Sequence, residues 1–206
     1  MNAAARKRIA RRRRIRRGAL VLVAMAIVGV VVVLTAPIAK KAVKELTTLP
    51  LSHASIIRQQ AADKHLSPAL VAGVIYAETK FDARTSPAGA VGLMQIEPQT
   101  ALFLAKRSGA TTFTPSDLNT PSVNIAYGCY YLRYLLDEYH GSRVLALAAY
   151  NGGETNVNRW EAQAEAKGRA LTISAIPFPE TRDYVSRVLN AAEQYRHHYA
   201  HELGYE

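Results

Sequence analysis

Between Gly18 and Ala39 the chain runs 22 residues without a charge, GALVLVAMAIVGVVVVLTAPIA. No other feature limits the fold as severely. As a helix this run spans roughly 33 Å at 1.5 Å per residue, enough for a hydrocarbon layer of ~30 Å. Nine Lys/Arg and no acid fill residues 1–17, and Lys40, Lys41 and Lys44 follow the run. The excess of cations on the N-terminal side predicts that side to be cytoplasmic. The expected organisation is a basic cytoplasmic tail over 1–17, a transmembrane helix over 18–39, a juxtamembrane linker over 40–54 and an extracytoplasmic domain over 55–206. A cleaved signal peptide is the rival. Its apolar region would be ~7–15 residues, and here the run is longer. Pro37 also follows the best small residue, a poor place to cut.

The formal charge of +10 would fit a nucleic-acid binder if it were spread over the fold. From Glu45 onward there are 14 Lys/Arg and 16 Asp/Glu, a net of −2. The basic character is therefore local to the N-terminus, and no nucleic-acid partner is expected. The single cysteine, Cys129, permits no intramolecular disulfide and reads as a small core residue.

Beyond residue 54 the pattern is helical. SIIRQQAADKHL carries Ile56, Ile57 and Ala61 on one side. Ser67-Pro68 is a cap followed by a first-turn proline, opening a helix to Thr79. Further helices are expected from Pro98 to Gly109, from Pro121 to Tyr139 with Thr120 as cap, and over SRVLALAAYNGG. A last one runs over ETRDYVSRVLNAAEQYRHHYAHEL, where Val185, Val188, Leu189 and Ala192 recur at helical spacing. Alternating strands are nearly absent. The expected fold class is all-α, with a core sized for about 150 residues.

Glu78 is the odd residue. It lies seven, four and three positions beyond Val71, Val74 and Ile75, on the apolar face of the helix opened by Pro68. Burial and the negative end of the helix dipole both favour its protonated form. A protonated carboxyl at neutral pH is what a general acid requires. The alternative is a glutamate turned out to solvent at the helix end.

Four motifs bear on that choice. ETKF (78–81) leads into SPAGAVGLMQIEPQTA (86–101); ALAAYNGG (146–153) and PETRDYVSRVL (179–189) follow in order. Together they resemble the catalytic domain of the soluble-type (SLT) lytic transglycosylases, which share a fold with goose-type lysozyme. The resemblance covers roughly residues 55–195. It implies a lysozyme-like domain cleaving bacterial peptidoglycan, with Glu78 as the single catalytic acid/base and the Tyr150 hydroxyl orienting it. It implies that Ser86 lies near Glu78, that Met94, Gln95 and Asn151 line or contact the glycan groove, and that Tyr184 borders the site. Three positions depart from the family pattern: Thr79 where serine is usual, Ala83 where proline is frequent, and Glu97 where an apolar residue is more common.

Two-carboxylate glycosidases place a second acid across the scissile bond. Asp82 reads as a turn residue and Glu97 as a helix-start acid favoured by the dipole. A one-acid route, in which the sugar's own acetamido group and 6-hydroxyl complete the chemistry, is what the resemblance implies. It requires no metal or cofactor, and His197, His198 and His201 read as a solvated tail. The implied partners are peptidoglycan glycan strands and the cell membrane through the N-terminal helix; the sequence specifies no protein of wall synthesis or division. The rival activities are a hydrolytic muramidase on the same fold and a non-catalytic glycan-binding scaffold.

Overall fold

Ser67 does what its chemistry predicts: its hydroxyl accepts the Leu70 N–H at 3.3 Å and Pro68 begins the helix. The computed structural model describes residues 49–206, and in it this helix is the axis of the fold. The elements in order are α1 (Ala54–Asp63), α2 (Pro68–Thr79), β1 (Arg84–Thr85), β2 (Val91–Gly92), α3 (Pro98–Ser108), α4 (Pro121–Glu138), α5 (Arg143–Gly152), α6 (Glu154–Glu165) and α7 (Pro179–His198). Short 3-10 turns occupy Pro115–Asn119 and Ile173–Ala175. Among the described residues no helix is long and apolar enough to cross a membrane. The expected tail over 1–17, the span over 18–39 and linker residues 40–48 lie outside the described residues.

The sequence pattern assigns α2 one apolar face. In the structure α2 is enclosed on every side, with each residue from Ala69 to Ile75 buried. It lies along α7 so closely that a Cβ on Gly73 would stand 2.8 Å from the Val188 carbonyl oxygen. Leu70, Val71, Val74 and Ile75 each contribute about 1.5–3 kcal/mol of burial, an upper bound because unfolded chains are partly collapsed. α5 packs against α4, α6 and α7, and Ala146 to Ala149 are fully buried.

The differences from the expected pattern are small. Helix α6 follows Gly153 at once; its polar surface, with only Val157 and Trp160 buried, hid it from a search for apolar stripes. A two-residue antiparallel hairpin pairs Arg84 with Gly92 and Thr85 with Val91. Strands this short carry no alternation to read. The Thr120 side chain makes no capping hydrogen bond.

Both ends of the domain are tied down. The Tyr199 hydroxyl donates to the Leu49 carbonyl at 2.6 Å, and the Tyr195 hydroxyl donates to the Pro50 carbonyl. Residues expected as linker are thus held against α7 from Leu49 onward. At the other end the Tyr205 hydroxyl meets Ser67 Oγ at 2.7 Å and accepts the Ala69 N–H at 3.1 Å, adding a second partner to the start of α2. Leu203 is buried, so the segment expected as a solvated tail is docked, although His197, His198 and His201 are exposed.

Candidate active site

The C-terminal end of α2 brings Glu78 to the wall of a cleft of about 370 Å³. Ser86, Gln95, Tyr150 and Asn151 line the same cleft. Five of the seven predicted site residues therefore converge, from α2, the hairpin loop, the GLMQ turn and α5. Burial is the main influence on Glu78 and raises its pKa from 4.5 to about 7. Three neighbours oppose the shift: the Tyr184 hydroxyl, Arg187 and Arg84. Arg84 also donates to the Glu78 backbone carbonyl at 3.2 Å, covering the negative helix end. The carboxyl is thus poised between its two forms near neutrality.

Tyr184 is almost wholly buried and lies behind the acid, not on the cleft wall. Its hydroxyl has no partner at standard hydrogen-bond geometry; a looser contact with the Glu78 carboxyl favours the ionised form. Tyr150 spends its one O–H proton on the Met94 carbonyl, at 2.9 Å. Toward Glu78 it has only a lone pair left, which suits a protonated carboxyl. Burial, and next the charge of Glu78, raise the pKa of both tyrosines well above 10, so both stay protonated.

Met94 does not reach the cleft. Its side chain is fully buried against α4, where a Cβ on Gly128 would come 2.2 Å from its sulfur. Its backbone carries the site instead, through the carbonyl that receives Tyr150. Gln95 sits at φ +48°, and its side-chain amide donates to the carbonyls of Arg84 at 2.7 Å and Gly92 at 2.8 Å. Only its Oε1 remains to meet a ligand. Ser86 Oγ accepts the Ala90 N–H at 3.0 Å, closing the hairpin loop and keeping its own proton for another acceptor.

Sequence reasoning missed the residue that holds this loop. Asn124 on α4 is fully buried; its Oδ1 accepts the Met94 N–H at 2.8 Å, and its Nδ2 donates to the carbonyls of Val91 at 2.8 Å and Leu118 at 3.0 Å. Gly92 makes room for it: φ is +80°, and a Cβ there would lie 2.1 Å from Asn124 Nδ2. The signal was a lone asparagine in the apolar helix SVNIAYGC. Thr79, one of the departures from the family pattern, shares its one Oγ1 proton between the carbonyls of Leu93 at 2.8 Å and Ile75 at 3.2 Å, joining α2 to the same loop.

The cleft also contains residues given other readings or none. Tyr131 lines it, its ring 5.1 Å from that of Tyr150. Glu97 and Glu180 line it too, so three carboxylates face one cleft where the sequence pointed to one. Among the described residues no lysine, arginine or histidine shares that lining.

Fold and site together define a mostly helical domain built around one carboxyl poised between its two forms near neutrality. Residues 55–173 match the family described as Transglycosylase SLT domain, and the chain belongs to that family. The soluble lytic murein transglycosylase of Salmonella typhimurium is 33% identical over 151 residues, which cover 72% of this chain and 23% of that protein. The membrane-bound lytic murein transglycosylase C of Actinobacillus pleuropneumoniae is 30% identical over 165 residues, covering 69% of this chain and 45% of that protein. Among solved structures, an inactive Glu-to-Gln mutant of the lytic transglycosylase Slt from Pseudomonas aeruginosa superposes with a TM-score of 0.68 at 32% identity, covering 74% of this chain and 25% of that one. The chain spans about a quarter of the first and third of these relatives and under half of the second.

Proposed function

We propose that this protein is a membrane-anchored peptidoglycan lytic transglycosylase. It cleaves the β-1,4 bond between N-acetylmuramic acid and N-acetylglucosamine and leaves a 1,6-anhydromuramic acid end. The observation that carries the reading is Glu78, held in an open cleft with its pKa raised to about 7. A carboxyl so placed can act as acid and then as base at one pH. Protonated Glu78 gives its proton to the glycosidic oxygen as the C1–O bond breaks. The muramic acid acetamido group shields the developing positive charge at C1. Ionised Glu78, steadied by Tyr184 and Arg187, takes the proton of the 6-hydroxyl as O6 bonds to C1. The proton balance closes on Glu78, and no water is consumed. Asn151 and the Gln95 Oε1 are the polar groups assigned to the sugar, with Ser86 close to the acid; Tyr150 positions the loop through Met94. The inactive Glu-to-Gln form of the Pseudomonas relative supports an essential glutamate here.

The 22 uncharged residues from Gly18 to Ala39, between nine cations and three, support the anchor and a domain facing the wall. A relative of similar identity that is named membrane-bound agrees with it. Membrane fractionation before and after alkaline carbonate washing tests this part; release into the wash overturns it.

Glu97 and Glu180 give a second reading substance. Either carboxylate, as a base for water, would make the enzyme a hydrolytic muramidase. Mass spectrometry of peptidoglycan digested by the full chain in detergent, beside Glu78→Gln, separates the two. Anhydro ends from the wild type alone support the transglycosylase; reducing ends carrying oxygen from labelled water support the hydrolase. No product from either folded protein would leave the glycan-binding scaffold.

A further inference from the structure

Beyond the catalytic cleft lies a second, larger cavity of about 620 Å³, between α6 and the segment 169–177. The two are neighbours. Gly153 lines the cleft at the start of α6, and Trp160, on the wall of the second cavity, is seven residues on, roughly 10 Å along the helix. Pro177 lines the second cavity and Glu180 the first. Phe178 stands between them, 44% exposed, its ring 4.8 Å edge-on from that of Trp160.

Their charges are opposite. Three carboxylates and no cation line the catalytic cleft. Lys167 and Arg169 line the second cavity with Gln163, Thr172 and Ser174, and no acid does. Among the described residues the one ion pair is Arg133–Asp137, and no carboxylate of those residues lies within 4.0 Å of Lys167 or Arg169. A hollow lined by two cations and no acid, with hydroxyls and an indole wall, favours an anionic ligand with some apolar body. A guanidinium grips a carboxylate through two parallel N–H bonds.

The substrate of the neighbouring cleft has the matching division. Its sugar backbone is rich in neutral hydroxyls and amides, and its carboxylates lie on the peptide stem that hangs from muramic acid. Three extended residues reach roughly 10 Å, so a stem leaving the cleft along α6 is long enough to reach the second cavity. The acidic cleft repels those carboxylates and the basic cavity attracts them. We infer that the cavity between α6 and residues 169–177 is a subsite for the stem-peptide carboxylates, with Lys167 and Arg169 as their partners. This inference rests on the peptidoglycan reading above.

Trp160 is the only tryptophan in the chain, so its emission reports this cavity directly. The experiment titrates the full chain in detergent micelles with a synthetic L-Ala-γ-D-Glu-L-Lys-D-Ala tetrapeptide, its carboxamide analogue and inorganic phosphate. The expected result is a saturable change in emission with the free-carboxylate peptide. Binding should fall at least ~10-fold for the carboxamide form, for Lys167→Gln with Arg169→Gln, and on raising salt from 0.05 to about 0.5 M. Turnover of stem-free glycan by the double variant should equal that of wild type. No saturable change, an equal response to the carboxamide, or an equal response to phosphate overturns the subsite. Intact glycan cleavage without peptide binding removes the subsite alone; peptide binding without any glycan cleavage removes the enzymatic reading and leaves an acidic-peptide site.

Discussion

The two walls of the catalytic cleft are held by different forces. The helix wall, where α2 lies along α7, is close-packed and apolar, with Gly73 against Val188. The loop wall, residues 84–97, is held by polar side chains reaching backbone groups: the buried Asn124 and Thr79 and the half-buried Gln95 and Tyr150. Packing is graded and forgiving, so it suits a support. Hydrogen bonds are directional, and leaving one buried partner unmet costs about 1–3 kcal/mol, so they suit a loop whose backbone must be placed to a fraction of an ångström. Glu78 sits where the walls meet. It takes its raised pKa from the burial the packed wall provides.

The largest effect should come at that junction. Glu78→Gln should lower turnover by roughly 10³-fold, within the range for loss of a general acid/base, as read by release of soluble muropeptides. The same change should alter stability in a pH-dependent way. The folded protein holds the Glu78 proton between about 4.5 and 7, where the unfolded chain has released it. Wild-type stability should therefore fall as pH rises through that window, by about 3 kcal/mol in total, and level off above it. Glu78→Gln should lack this slope; urea unfolding at pH 4.5, 6 and 8 would show whether the two curves diverge.

Asn124→Ala attacks the loop wall. It strands the Met94 N–H and the Leu118 carbonyl and leaves the Val91 carbonyl only the Ile96 N–H, and should cost about 3 kcal/mol. Hydrogen exchange should show the Met94 amide losing protection while α2 and α7 amides exchange only through global unfolding. Equal loss in all three would merge the two walls into one unit. Gly73→Ala attacks the helix wall, where overpacking typically costs about 1–3 kcal/mol. It should lower the urea midpoint and the protection of both walls together. Thr79→Val removes a hydroxyl but keeps the shape. About 1 kcal/mol should be lost at the Leu93 carbonyl, with turnover changed less than 10-fold because no substrate contact is removed.

The same division governs what the sequence reveals. The helix wall was legible because apolar spacing and Ser67-Pro68 are local signals. Glu78 was legible from its register with Val71, Val74 and Ile75, though α2 proved buried all round. The loop wall was not legible, because Asn124 is about 30 positions from the loop it holds and only the fold brings them together. For the same reason Glu97 and Glu180 looked unrelated to Glu78. Met94 was assigned to the sugar by motif, yet the structure gives the work to its carbonyl. Of Glu97 and Glu180, the former bears more on the choice between transglycosylase and muramidase, since it is both a departure from the family pattern and a member of the cleft.

One feature of α7 acts at a distance. Leu49 and Pro50 hang from Tyr199 and Tyr195 near one end of this helix, and Tyr184 and Arg187 stand beside Glu78 nearer the other. Tyr184 and Tyr195 are eleven residues apart, roughly 16 Å along a single rod. Mechanically, α7 is a strut: a tug on residue 49 loads it through two hydroxyl bonds, and the load runs along the same beam that steadies the acid. A pull applied at residue 49 would then reach the backing of the Glu78 carboxyl itself.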